Sequence, residues 1–238
     1  MLTVVSGFWD VKSKFNKDSN NAYLKWFQNS LLINCPYVFY GTSDVIQIVR
    51  EIRKDLPTYY IEFEIKDFYT YKYYDDVQSD PVHAPSKELQ LIWLEKLFLV
   101  QKTMQLNPFN TDHFMWIDSG ICIYRDVKPP ENKFPNEEKL MALPTNKFIF
   151  CSSEYQFFLR DHVLIGNYYH YFSMGTFILH KNIINDFIKL YIKYLDELLP
   201  KKHFSFTEQV ILTFIYKDNE DLFHKISDGY GSMIPALY

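Results

Sequence analysis

The sequence predicts an α/β fold: a single domain with a mostly parallel sheet flanked by helices. Three observations carry this. Strand-like and helix-like patterns alternate through the first third of the chain. An apolar, aromatic run, Phe114-Met115-Trp116-Ile117, stops abruptly on Asp118-Ser119-Gly120, as a buried strand does when it leaves a sheet. The 238 residues are 47% hydrophobic and 23% charged, enough for one sizeable core, with no low-complexity linker or repeat to divide it.

The first third fixes the direction of the sheet. Leu2 to Trp9 is apolar and β-branched at its start, a buried strand. Asp10 to Asn21 is polar and reads as a loop. Ala22 to Leu32 carries Tyr23, Leu24, Phe27, Leu31 and Leu32 at helical spacing, and Pro36 breaks it. Tyr37 to Gly41 is a second strand. Thr42-Ser43-Asp44 caps a helix over Val45–Arg53 with Ile46, Val49 and Ile52 inward. Thr58 to Phe63 is a third strand. Strand, helix, strand, helix, strand implies parallel pairing through right-handed crossovers.

Phe68 to Ser86 is irregular and rich in Tyr and Asp, the kind of long connection that carries function or motion. Its Asp75-Asp76 pair reads as a solvated loop or as a second acidic site. Ser86 caps a long helix, Lys87 to Leu106, with Leu91, Leu94, Leu97 and Phe98 on its apolar side. Trp93 and Lys96, three apart, share another face. Pro108 ends it.

In the second half, Pro129, Pro130 and Pro135 mark a surface loop. Lys139–Leu143 and Phe148–Phe150 read as strands. Tyr171 to His180 is a small-residue turn leading into a strand. Ile183–Leu199 is an amphipathic helix stopped by Pro200. Ser205 to Gln209 opens a helix through Tyr216, and Leu222–Ile226 is a last short strand. Ser227 to Tyr238 reads as a mobile tail.

Composition excludes several functions. A net charge of −4 gives no basic field for nucleic acid. No window approaches the roughly 18 consecutive apolar residues of a membrane span. Cys35, Cys122 and Cys151 are odd in number and widely spaced, without metal spacing or a disulfide framework. With no leader pattern, they predict a reducing, cytoplasmic location. There is no G-x-S-x-G elbow, G-x-G-x-x-G fingerprint or Walker A loop.

The chemistry centres on Asp118. In an open α/β sheet, ligands bind beyond the carboxyl ends of the strands. A carboxylate there can hold Mn²⁺ or Mg²⁺ through oxygen, with a diphosphate and waters completing the shell; the alternative is a turn cap. Ser119 and Gly120 allow close approach. Lys96 and Arg125 are candidate phosphate or sugar contacts, Lys96 only if it faces the cleft. Phe8, Trp9 and Tyr40 at strand ends are candidate base-stacking residues, or core.

The order of these motifs resembles the GT-A type of nucleotide-sugar glycosyltransferase. More closely, Val4 to Asp10, Trp93-Leu94-Glu95-Lys96, Phe114 to Gly120 with Arg125, and Met174-Gly175 resemble the HtrL/YibB family. The resemblance spans most of the chain on short motifs, of which the W-I-D-x-G box with its downstream Arg is the most specific. It implies a GT-A-like, Rossmann-like fold, with 1–126 as the nucleotide-binding half and 127–238 as the acceptor-side half. It implies a nucleotide-sugar donor, UDP by default, and a glycan or other hydroxyl acceptor. It adds Phe8, Trp9, Asp10, Tyr40, Trp116, Ser119, Gly120, Met174 and Gly175 to the nucleotide and sugar contacts. It makes Glu208 and Gln209, at a helix start, catalytic residues: Glu208 is the general base if the enzyme inverts, kept ionised by the helix dipole, and the acid or Gln orients the sugar if it retains; the alternative is an ordinary first-turn Glu favoured by that dipole. It offers His224 as a second metal ligand, as in glycogenin-like enzymes, against a His packed on a terminal strand. Two departures stand out. Asp118-Ser119-Gly120 lacks the second acid of D-x-D, and Met174-Gly175 replaces paired glycines. The missing acid keeps open an inactive nucleotide-sugar or carbohydrate-binding module.

Overall fold

The computed structural model describes residues 1–11, 22–81, 84–153, 170–203 and 206–238. Most of the expected polar loop, from Lys12 to Asn21, together with His83 and Ser205, lies outside them. Seven strands form one sheet in the order β3-β2-β1-β4-β6-β5-β7. They are β1 (Leu2–Phe8), β2 (Tyr37–Gly41), β3 (Thr58–Glu62), β4 (His113–Ile117), β5 (Phe148–Ser152), β6 (Phe172–His180) and β7 (Phe223–Asp228). Neighbours pair parallel except around β6, which runs against both β4 and β5.

The helices are α1 (Ala22–Ser30), α2 (Ser43–Arg53), α3 (Lys87–Leu106), α4 (Glu137–Met141), α5 (Lys181–Leu198), α6 (Glu208–Asp218) and α7 (Met233–Leu237). Strand alternation splits the interior into two layers. Phe114 and Trp116 of β4 face a core filled by α3, α5 and α6. Met115 and Ile117 face the core of α1, α2 and α7. The apolar stripe expected on α3 is inward, with Leu91, Leu94 and Leu97 fully buried. Ser86 caps α3 by accepting from the Leu89 amide at 3.2 Å.

Two expectations fail. Lys139–Leu143 lies not in a strand but across α4 and the turn after it. Asn136 accepts from the Lys139 amide at 3.1 Å, and the acids Glu137 and Glu138 occupy the first turn. This capping outweighs a short apolar run. The tail is not loose: β7 continues to Asp228, and α7 buries Met233, Ile234 and Leu237, a helical stripe in a short segment. Phe68–Ser86 is irregular as expected, with no α-helix or sheet strand among its described residues. Its first part is a 3-10 turn over Tyr69–Tyr73, whose Tyr69 and Thr70 amides donate to buried Glu95 at 3.0 and 2.9 Å.

Candidate functional site

β1 and β4 are parallel neighbours, with Val5 level with Trp116. The chain leaves β1 toward β2 and β3, then returns to β4 on the other side of β1. This reversal opens a crevice beyond the carboxyl ends of both strands, the ligand position of open α/β sheets. A cleft of about 740 Å³ lies there, lined by Phe8 and Trp9 at the end of β1, Asp118 to Gly120 after β4, Met174 and Gly175 in β6, and Thr207 to Gln209 at the start of α6.

Asp118 anchors its floor. Its amide donates to the Gly175 carbonyl at 2.9 Å, and its carbonyl accepts from Ile121 at 3.0 Å, fixing the turn. Its Oδ1 accepts from Trp116 Nε1 at 2.7 Å and from Lys96 Nζ at 3.0 Å. The same ammonium donates to Glu208 Oε1 and to the Met174 carbonyl, both at 3.1 Å. Lys96 therefore spends its three N–H donors on three oxygens inside the protein. Burial works against its charge, but Asp118 and Glu208 outweigh it and hold the ammonium above the usual lysine value. The solvated reading of Lys96 fails because α3 packs over the central strands β1 and β4, which buries the side chain beside Asp118 and Glu208.

Glu208 is 3% exposed. Burial raises its carboxyl above the usual glutamate range, and Lys96 offsets this only in part. The sequence expectation of a value lowered by the helix dipole is corrected: desolvation exceeds a terminal-dipole effect here. Glu208 Oε2 is buried with no hydrogen-bond partner among the described residues, and so is Thr207 Oγ1 beside it. Gln209 Nε2 donates to the Phe172 carbonyl at 2.9 Å and to Tyr230 Oη at 3.1 Å.

Arg125 Nε donates to the Gly120 carbonyl at 3.1 Å, and its guanidinium lies 3.7 Å over the Trp26 ring. A Cβ on Gly120 would sit 3.0 Å from both Trp26 and Tyr23, so this backbone accepts only a glycine without the rings giving way.

Twelve residues named from the sequence border one cleft: Phe8, Trp9, Lys96, Trp116, Asp118, Ser119, Gly120, Arg125, Met174, Gly175, Glu208 and Gln209. Three do not. Asp10 is exposed just past β1. Tyr40 is core, its hydroxyl 2.9 Å from Thr103 Oγ1, because its strand position points into the α3 layer. His224 is exposed on the edge strand β7, level with Ile149, Ile178 and Met115. That puts it short of the Asp118 level and three strand spacings away, roughly 14 Å. Tyr23, Trp93, His170 and Tyr230 complete the wall. Tyr230 had a signal, the Gly229-Tyr230-Gly231 turn; Tyr23 and His170 had none.

Among the described residues no group of three His, Cys, Asp or Glu is placed to hold a metal. Asp118 Oδ1 already takes two donors, one of them a cation, and the rings of Tyr23 and Trp26 fill the place of a second D-x-D carboxylate.

A model of the HtrL_YibB family, described as a bacterial protein of unknown function, matches residues 61–233. The chain belongs to this family. No curated protein matches it. Among solved structures, the apo form of mouse xyloside xylosyltransferase 1 is similar over 93% of this chain and 83% of its own, with a TM-score of 0.55 and 14% identity. The glycosyltransferase GlyE of Streptococcus pneumoniae TIGR4 aligns over 94% of this chain and 44% of its own, with a TM-score of 0.48 and 9% identity. The xylosyltransferase likeness establishes a GT-A-type fold for this HtrL_YibB member. Among the described residues, no helix is long and apolar enough to cross a membrane.

Proposed function

We propose that this HtrL_YibB chain transfers a sugar from a nucleotide-sugar donor to a hydroxyl acceptor. The observation that carries the reading is Glu208 Oε2, buried, with no hydrogen-bond partner among the described residues, on the wall of a cleft at the switch point of a GT-A-type sheet. A buried carboxylate oxygen without a donor is costly, and a sugar or acceptor hydroxyl is the group that satisfies it. In the reaction, the acceptor oxygen attacks the anomeric carbon. The bond from that carbon to the diphosphate oxygen breaks, and its electron pair leaves with the nucleoside diphosphate. Glu208 takes the hydroxyl proton, and a carboxyl raised by burial is better matched to that task near neutral pH than an ordinary one. Gln209 and Thr207 supply amide and hydroxyl groups beside it. Phe8 and Trp9 form the apolar end for the nucleobase, and UDP-sugars are the first donors to test.

A thermal-shift screen of nucleotide sugars, followed by assay of nucleoside diphosphate release, tests this. One donor should raise the melting temperature and be slowly consumed. Binding without consumption or transfer would assign the cleft to a nucleotide-sugar-binding module. No shift with any donor would refute the reading.

A further inference from the structure

We infer that the acceptor is a sugar ring seated on Tyr230, and that Gln209 and His170 position this platform for it. This rests on the nucleotide-sugar reading and deepens it. Tyr230 lines the cleft and is 36% exposed. It stands in the turn between β7 and α7, flanked by Gly229 at φ 99° and Gly231 at φ 77°, backbone that other residues rarely adopt. The Gly229 amide donates to the Ser152 carbonyl, at the end of β5, at 2.9 Å. The Cys122 thiol, just past the Asp118 turn, donates to the Tyr230 carbonyl at 3.4 Å. The turn is thus tied to a strand end on one side and to the Asp118 loop on the other.

One carbonyl fixes the polarity of the hydrogen bonds around the ring. The Phe172 oxygen can only accept, so His170 Nδ1, 2.9 Å away, carries the proton, and Gln209 turns its Nε2 toward the same oxygen at 2.9 Å. His170 Nε2 is then an acceptor. The Tyr230 hydroxyl donates to it at 3.4 Å and accepts from Gln209 Nε2 at 3.1 Å, which closes a circuit of four groups. Burial pushes the His170 ring from 6.5 down to about 4, so the circuit keeps this polarity through neutral pH. The Tyr230 hydroxyl is spent on the protein, which leaves the carbon surface of the ring to the cleft. The circuit takes only the Nε2 end of the Gln209 amide, so Oε1 remains an acceptor next to Glu208. A pyranose is the complement of this pair, with C–H groups on a face and hydroxyl donors around its rim. A platform fixed in advance lowers the ordering cost of seating it. The nucleobase end is at Phe8 and Trp9, whereas Tyr230 adjoins the proton acceptor through Gln209, so the sugar it seats is the acceptor.

The donor found in the melting screen is incubated with the wild-type chain and one of two sets of acceptors. The first is the methyl glycosides of glucose, galactose, mannose, xylose and N-acetylglucosamine; the second is the open-chain polyols sorbitol, galactitol and xylitol. At least one glycoside should raise donor consumption more than about tenfold above hydrolysis and yield a disaccharide, whereas the polyols, which carry hydroxyls but no ring, should not. In Tyr230→Ala the ratio of transfer to hydrolysis, read in one tube, should fall roughly ten- to hundredfold. Tyr230→Phe and His170→Phe, which keep the platform but open the circuit, should lower it less, through acceptor KM rather than kcat. Glycosides that do no better than the polyols, or an unchanged ratio in Tyr230→Ala, would overturn the inference and leave the donor reading standing. If no donor is consumed, the inference falls with the transferase reading. The comparison of acceptors uses wild type alone, so it decides the matter even if the variants do not fold.

Discussion

Lys96 Nζ stands 3.0 Å from Asp118 Oδ1, tying the middle of α3 to the end of β4 beneath the cleft. The lysine side chain is only 5% exposed, whereas that of Asp118 is 41% exposed. The pair therefore presents a carboxylate to the cleft on a buried cation that also neutralises Glu208.

Removing that cation should be expensive. Lys96→Met leaves Glu208 buried without its counter-charge, and breaking a buried pair in this way costs about 3–5 kcal/mol. Adding Glu208→Gln should recover part of the loss, a coupling that chemical denaturation of the two single variants and the double variant measures. Additive costs would show that the two groups do not depend on each other.

The pH dependence of turnover should carry the mark of Glu208. Burial raises its carboxyl, so the basic form is lost at a higher pH than for an exposed glutamate. Activity falls as pH drops through that raised value. A profile of kcat/KM against pH should show the acidic limb above the ordinary glutamate range; a limb at the ordinary value, or none, would remove Glu208 as the base.

Stability should fall in mild acid for a reason outside the cleft. His113 of β4 is buried edge-on to His180, and neither ring nitrogen has a hydrogen-bond partner among the described residues. Burial, then the charge of His180, pushes its value from 6.5 down to about 4. The folded state holds this ring neutral while the unfolded chain protonates it. The stability is present above pH 6.5 and is lost as pH falls toward 4, up to roughly 3 kcal/mol. His113→Phe should flatten the denaturation midpoint across that window. Parallel losses in variant and wild type would place the acid sensitivity elsewhere.

Gly175 guards the space beside Asp118. A Cβ there would lie 3.0 Å from Ile121 Cδ1 and 3.6 Å from Asp118 Oδ2. Gly175→Ala should cost about 1–3 kcal/mol of stability through overpacking and weaken nucleotide binding as well. Melting curves paired with nucleotide titration would show both; full affinity in a folded variant would mean that nothing binds on that side of Asp118.

Much of this was legible in the sequence where one residue pattern had one structural solution. The alternation from Leu2 to Phe63, the stripe of α3 and the strand ending on Asp118 are such patterns, and the sheet order then brings their ends together. Reversal of β6 was not legible, because a strand buried on both faces reads alike in either direction. Lys96 was underestimated because an alternation of apolar residues says which face is inward, not that a cation on that face meets two acids distant in sequence. His224 misled for the converse reason: its type suits a metal, but its register puts it away from the carboxyl ends of the strands. α7 was missed because five residues are too short for periodicity to rise above composition.

On the reading proposed above, this cleft turns over a nucleotide sugar with Glu208 as the proton acceptor. Its most direct test is ³¹P NMR of a bound nucleotide sugar incubated with wild type and with Glu208→Gln, binding being checked separately by calorimetry. Wild type should release nucleoside diphosphate, and Glu208→Gln should do so about 10²–10⁴-fold more slowly with affinity nearly unchanged. Equal release by the two proteins, or a wild type that binds no nucleotide sugar, would contradict it.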